Sequence, residues 1–449
     1  MTSTDRPERT GAAPSLRRGL RPVALFGTFF VLLCGGPYGL EEVVPRAGPG
    51  LSVGILVLMS LVWAAPYAFL VSELASALPA EGGIYQWFRA GLGPFWSFQL
   101  SFMDWTTWVL DAALYPPLVA SFVGTLFVRQ PSHWLRWILC LAIIWTCTWL
   151  NIRGVSLVGR FSVLMTALMM APVVIMIVLG WRHANLSSLI PIFPPDGSRY
   201  GALNYALIWA LWSYSGYGSM ANASEEIVEP ERMYPRVLAV FLPVSVLTYV
   251  LPLVVALGVT PEWRAWDTAQ FNQVALRLGG PLLMLSVTIA AQISSLGIFN
   301  GELLIISRMP YAMARDGVLP RGLERLHPGF GTPARVLILQ AVVYSVLTFF
   351  FGFVELLVVS TWLALPSYIL QFASPVVLRL KRPDLRGSFR IPGGLPVLLL
   401  VAAVPSLIAL YALFSIALPH LLIGLGFVAA GPVLFLGLRW LGSGSRPRP

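Results

Sequence analysis

Two carboxylates, Asp104 and Asp111, sit in a mostly apolar run between Pro94 and Gly124. They are seven residues apart, two helical turns, so they share one helix face. A charge at the centre of a bilayer costs about 3 kcal/mol and usually faces a partner or a watery cavity. Two acids on one face suit a cationic ligand or a proton. Trp105 and Trp108 beside them offer π faces that attract an ammonium group. The competing reading is structural: an acid near the end of a tilted span, or one paired with an arginine. Asn300 and Glu302 are further polar points in an apolar run. Asn300 suits either a cavity wall or an interhelical hydrogen bond. Glu73 closes another run, in Ser72-Glu73-Leu74-Ala75-Ser76-Ala77-Leu78-Pro79, followed by Glu81 to Trp87. It suits a gate carboxylate that pairs with a basic group in one state, or a static interfacial ion pair. Glu225, Glu226 and Glu229 precede Arg232 and Arg236, which are their natural partners, and a solvated helix end is the alternative.

Two interruptions must position these groups. The first is Gly35-Gly36-Pro37-Tyr38-Gly39-Leu40-Glu41, inside an apolar run that starts at Val23. Glycine adds backbone freedom and proline removes a donor, so a continuous helix should fail there. In lipid, unpaired backbone survives only where protein buries it or a cavity meets it. A break at mid-depth is therefore a candidate binding site built from half-helix ends. A simple Pro/Gly kink is the other reading. The second interruption is Trp212-Ser213-Tyr214-Ser215-Gly216-Tyr217-Gly218-Ser219, a poor helix centre.

The chain around them is that of a membrane protein. Of 449 residues, 57% are hydrophobic and 11% charged, against about 25% charged in soluble domains. Mean hydropathy is +0.76. Apolar segments long enough to span fall near 22–45, 51–78, 94–124, 134–151, 155–181, 202–226, 235–259, 281–309, 333–353, 355–379, 395–416 and 419–440. That is about twelve spans of roughly 20 residues each, with Glu355 marking the turn between two of them. The expected organisation is a tail over 1–20, one transmembrane domain over 21–440 and a tail over 441–449. No cleaved signal peptide is expected.

With an even span count both tails share a side. If that side is cytoplasmic, 23 of the 30 lysines and arginines fall inside, among them Arg89, Arg153, Arg308, Arg379 and Arg390. Seven fall outside: Arg46, Arg129, Arg136, Arg182, Arg199, Arg264 and Arg277. Such a split is the positive-inside signal. The net charge of +10 thus reflects topology, and no nucleic-acid partner is implied. The breaks open segments one and six. Five spans separate them, an odd number, so the two halves run oppositely through the bilayer, as in an inverted repeat.

Enzyme signatures are absent: no HExxH, no GxSxG, no P-loop and no Cys/His cluster with metal spacing. No cofactor and no metal are expected. Cys34, Cys140 and Cys147 lie in apolar segments and read as buried small hydrophobes.

Three stretches together, the Gly35 to Glu41 break, Ser72 to Trp87, and Trp212 to Pro230, resemble the amino acid–polyamine–organocation superfamily of transporters. The span count agrees over nearly the whole chain. Leu110-Asp111-Ala112-Ala113-Leu114-Tyr115-Pro116 is similar to a third-span stretch of the polyamine-uptake members, so the likeness is to the L-type and polyamine-uptake branch. The resemblance implies an all-α, LeuT-type five-plus-five inverted repeat, about 21–181 and 202–379, with broken helices one and six and two extra helices over 395–440. It implies that Gly35, Gly36, Tyr38, Ser215, Gly216 and Tyr217 shape a substrate site, with Asp104, Trp108, Asp111 and Asn300 beside it. Trp212 would be the aromatic gate, with Glu41 and Glu73 in gating or coupling. One departure stands out: plant members carry an acid in the sixth-span break, where this chain has Gly218. The function implied is secondary active transport of amino acids or polyamines across the cell membrane, with protons as a candidate coupling ion. The rivals are an exchanger without net ion coupling and a non-transporting sensor. A membrane enzyme is opposed by the missing motifs, and a channel by the interrupted helices.

Overall fold

The structure is a computed structural model that describes residues 19–127, 132–266, 270–351, 353–415 and 418–443. Most of both tails lies outside the described residues. Each of the twelve expected segments is helical over most of its length, and no sheet occurs among the described residues, only an isolated bridge pairing Leu20 with Ile227. Among the described residues seven helices are long and apolar enough to cross a membrane: Pro49–Ala77, His133–Arg153, Val158–His183, Pro230–Val259, Gln270–Arg315, Val359–Lys381 and Gly394–Phe414. Their outer faces keep large apolar side chains uncovered, such as Leu400, Leu407 and Phe414 on the eleventh segment. Uncovered apolar area on this scale marks a surface that meets lipid. The three cysteines are free and buried.

The departures from simple spans have local causes. Segment one is helical over Pro22–Phe29, widens to a π-turn over Phe30–Cys34, then breaks at Gly35 (φ 60°) and Gly36 (φ 83°). A short turn leads to Leu40–Glu42 and Val43–Ala47. Segment two also contains a π-turn, Ser60–Ala64, just before Pro66. Pro66 has no N–H to bond the carbonyl one turn back, so the helix loosens there. Segment three is not one helix over 94–124. It runs Pro94–Ala112, turns at Ala113 and Leu114, and resumes as Tyr115–Phe127. Pro116 and Pro117 deny N–H groups to the carbonyls of Ala112 and Ala113, which ends the first piece. Segment six is Arg199–Ser213, then a break at Gly216 (φ 83°), then a 3₁₀ run Ser219–Glu226. Segment eight begins earlier than expected, at Gln270, with a kink at Gly280 (φ 71°) before the long stretch to Arg315. Glu355 lies in the first turn of Phe353–Lys381, and the preceding helix ends at Phe350.

Candidate functional site

The two breaks face each other. A Cβ built on Gly216 would lie 2.8 Å from both Leu33 Cδ2 and Trp108 Cη2. Between them stands Tyr249 of segment seven, its hydroxyl 3.0 Å from Ser213 O, 3.2 Å from Cys34 O and 3.4 Å from Leu33 O. One hydroxyl has one proton, so it donates to these carbonyls in turn. Other freed carbonyls are also taken. Trp63 Nε1 donates to Tyr214 O at 3.1 Å, Tyr234 donates to Tyr217 O at 2.6 Å, and Ser294 donates to Gly35 O. The Gly39 N–H donates to Glu41 Oε2 at 2.9 Å. The π-turn before Pro66 thus has a visible consequence, since it lies where Trp63 reaches across to the second break.

Beside the breaks is a half-open cavity walled by segments three, six, ten and eleven. Trp108, Asp111, Trp212, Ser215 and Tyr368 line it, with Thr361. Asp111 is in the last turn before the Ala113–Leu114 turn, and that turn lets Tyr115 fold back and donate to Asp111 Oδ2 at 3.2 Å. The Asp111 carboxyl is also in hydrogen-bonding contact with the carboxyl of Glu302 on segment eight. Glu302 is 1% exposed, and its Oε2 has no partner. Among the described residues neither acid forms an ion pair with an arginine or lysine.

The other expected site residues have partners elsewhere in the bundle. Asp104 is buried and accepts from Ser367 Oγ at 2.9 Å and Gln371 Nε2 at 3.0 Å, both on segment ten. Gln371 in turn accepts from Tyr67 at 2.6 Å, and the Gly218 N–H lies 3.4 Å from that tyrosine oxygen. Gly35 lies against Ile298 and Ser294, and Gly36 against the ring of Tyr38. Tyr38 points to segment five and donates to Met169 O at 2.7 Å. Tyr217 packs on Tyr67 with ring centroids 5.3 Å apart. Asn300 is an interhelical partner: its Oδ1 accepts from Asn151 Nδ2 at 3.0 Å. None of these six lines the cavity. In the sequence Glu302 is only a polar point in an apolar run, and Tyr249, Tyr368 and Gln371 carry no signal of their own. Each is an ordinary residue of an apolar run until its tertiary neighbours are known.

The basic end of the molecule is closed by ion pairs. Glu73 takes Arg379 in a fork, at 2.6 and 2.5 Å, and accepts the Ile391 N–H at 2.8 Å. Glu225 and Glu226 do not pair with Arg232 or Arg236. They take Arg315 and Arg308 of segment eight, both bidentate. Arg308 lies on the buried face of that long helix, which outcompetes the nearer but exposed arginines. Arg89 pairs with Asp316. Glu81, in the connection after segment two, accepts the Glu225 N–H at 3.1 Å and lies 3.9 Å from Arg308. Burial first, and the Glu226 carboxylate second, push the Glu81 carboxyl well above the usual range.

An all-helical membrane bundle with two opposed helix breaks beside an aromatic, acid-bearing cavity defines a transporter. Residues 25–433 match the amino acid permease family, and the chain belongs to that family, within the amino acid–polyamine–organocation superfamily. It is 27% identical over 434 residues to the polyamine transporter PUT1 of Oryza sativa subsp. japonica, covering 96% of this chain and 80% of the relative. The methylthioribose transporter of Bacillus subtilis (strain 168) is 24% identical over 395 residues, 84% of each chain. The crystal structure of MhsT in complex with L-phenylalanine has a TM-score of 0.63 and 11% identity, and the match covers 89% of this chain and 99% of that one. That likeness shows the LeuT-type fold.

Proposed function

We propose that this transporter carries a diamine or polyamine across the cell membrane by alternating access, with both termini cytoplasmic, two inverted halves rocking about the broken segments, and protons as the coupling ion. The observation that carries the reading is Asp111: a buried carboxylate in the wall of a cavity faced by Trp108, Trp212 and Tyr368, with no cation paired to it among the described residues. A charge so placed calls for a counter-ion, and aromatic faces favour an ammonium as that ion. The named activity of the rice relative supports the substrate class.

Gly218 bears on the same question. A Cβ there would lie 3.0 Å from Gln371 Oε1 and 3.3 Å from the Tyr67 hydroxyl. The Tyr67–Gln371 pair therefore fills the space of a sixth-segment acid, and Gln371 leads on to Asp104. The region keeps an acid, delivered from segment three. A second reading, a neutral solute, is favoured by the freed carbonyls that Tyr249, Trp63 and Ser294 already occupy, and by the methylthioribose relative. Binding of putrescine, spermidine, neutral amino acids and methylthioribose to purified protein separates the two, because a ligand of the folded state raises its melting temperature. Uptake of the stabilising ligand into proteoliposomes then distinguishes a carrier from a sensor. Stabilisation by neutral ligands alone removes the polyamine reading.

A further inference from the structure

Asp111 and Glu302 are two buried carboxyls in contact, and only Asp111 reaches the cavity. Asp111 faces the cavity; Glu302 is on segment eight with its carboxyl against that of Asp111, and its buried Oε2 accepts from no donor. The titratable groups around the pair are Tyr115 beyond the end of segment three, Tyr344 of segment nine and Tyr368 of segment ten, with Trp212 of segment six beside Asp111. None of these supplies a positive charge. Asp104 is two turns away on the helix that carries Asp111 and is taken by Ser367 and Gln371. Two carboxyl oxygens in a dry setting repel when both are ionised and bond when one proton lies between them.

We infer that Asp111 and Glu302 are one proton-binding unit, holding a single shared proton in the empty transporter and releasing it when a substrate ammonium reaches Asp111. The inference rests on the cationic substrate proposed above. In the step, the ammonium keeps its own protons and forms a contact with the Asp111 carboxylate. The shared proton leaves by way of Asp111 to water in the cavity. Both carboxylates are then ionised, and the arriving positive charge offsets the added negative one. Proton and cation thus compete for one place, which makes the pair an exchange device. Glu302 itself does not touch substrate. It is a positioning and proton-holding residue, and Glu302→Gln keeps its shape while removing its charge and its share of the proton.

The test is proton release on binding, read with a pH dye in weakly buffered solution as putrescine is added to the wild-type protein. A proton is expected to be released at acidic pH, and apparent putrescine affinity should fall toward about tenfold per pH unit below the titration point of the pair. In Glu302→Gln, release should vanish and affinity should vary by less than about twofold over the same range. Exchange should survive in that variant while accumulation driven by a pH gradient is lost. Wild-type binding with no proton released at any pH overturns the inference without recourse to a variant, and so does a Glu302→Gln protein that retains the wild-type pH profile. If the wild type binds no diamine, the substrate reading fails by itself. The proton unit is then read by infrared spectroscopy: one pH-dependent carboxylic-acid C=O band, apart from that of Glu81, should disappear in both Glu302→Gln and Asp111→Asn. Persistence of that band in Glu302→Gln overturns the unit whatever the substrate is.

Discussion

At the scale of single residues, the site depends on how each buried charge is compensated. Asp111→Asn removes a charge-assisted contact to a substrate ammonium. Contacts of this kind contribute about 1.5–3 kcal/mol, roughly 10- to 150-fold in affinity. Binding isotherms should show that loss for putrescine and spermidine, with any neutral ligand little affected; undiminished diamine affinity in a folded variant removes Asp111 from the substrate site. Glu81 makes a different kind of prediction. Its carboxyl is held above the usual range by burial and by Glu226, so the folded protein binds a proton that the unfolded chain has already lost. Its contribution to stability is fully present below the ordinary glutamate range and is lost as pH rises through the elevated value. Thermal unfolding in detergent should therefore show stability declining with pH across that window. Glu81→Gln should flatten this decline, and an equal slope in both proteins would show that another group sets it. Asp111 was legible as a charge in an apolar run. Its contact with Glu302 was not, because 191 residues separate the two positions and nothing in either local pattern points to the other.

At the scale of elements, the two breaks were the most legible features of the chain. Gly35-Gly36-Pro37 and Ser215-Gly216-Tyr217-Gly218 violate helix chemistry so plainly that their local failure needs no tertiary information. What fills the breaks was hidden. Tyr249, Trp63 and Ser294 belong to other segments, and each reads as an ordinary member of an apolar helix. The π-turns at Phe30–Cys34 and Ser60–Ala64 were also missed, although Pro66 is a signal for the second. The turn at Ala113 was legible in Pro116 and Pro117, but the apolar character of the stretch outweighed it. Gly216 gives the test at this scale. Its φ of 83° lies where an L-residue is strained by about 1–2 kcal/mol, and a Cβ would collide with Leu33 and Trp108 at 2.8 Å. Gly216→Leu should push the two broken segments apart and collapse the cavity wall at Trp108. Uptake should fall by about tenfold or more while the protein still reaches the membrane. Normal uptake and affinity in this variant would dissociate the second break from the transport site.

At the scale of the whole molecule, Glu226 joins three distant parts of the chain. Its carboxylate takes Arg308 of segment eight at 2.9 and 3.0 Å, and its carbonyl accepts the N–H groups of Gly19 at 3.0 Å and Leu20 at 3.1 Å at the start of segment one. The end of segment six, the C-terminal part of segment eight and the entry to segment one are thereby locked together, and Glu73 pairs with Arg379 at the end of segment two. If the proposed alternating access operates, this is the end that must open for release. The barrier is substantial: Arg308 is fully buried, and breaking a buried pair by removing one partner costs about 3–5 kcal/mol. A change of that size moves an equilibrium by roughly a hundred- to several-thousand-fold, enough to reverse which side is closed. Arg308→Gln should therefore leave this end open. The measurement uses Ser224→Cys, a position 1% exposed in the closed form, probed with a membrane-impermeant maleimide on vesicles that expose the basic end. Labelling should be slow in the otherwise wild-type protein and about tenfold faster or more with Arg308→Gln. Net uptake should be lost at the same time, since a carrier open at one end cannot return. Glu73→Gln should act in the same direction more weakly, because Arg379 keeps the Ile391 and Gly394 carbonyls as partners. A static network predicts the opposite pattern: lower thermal stability, unchanged labelling and surviving uptake, and that result would exclude this end of the molecule as a gate.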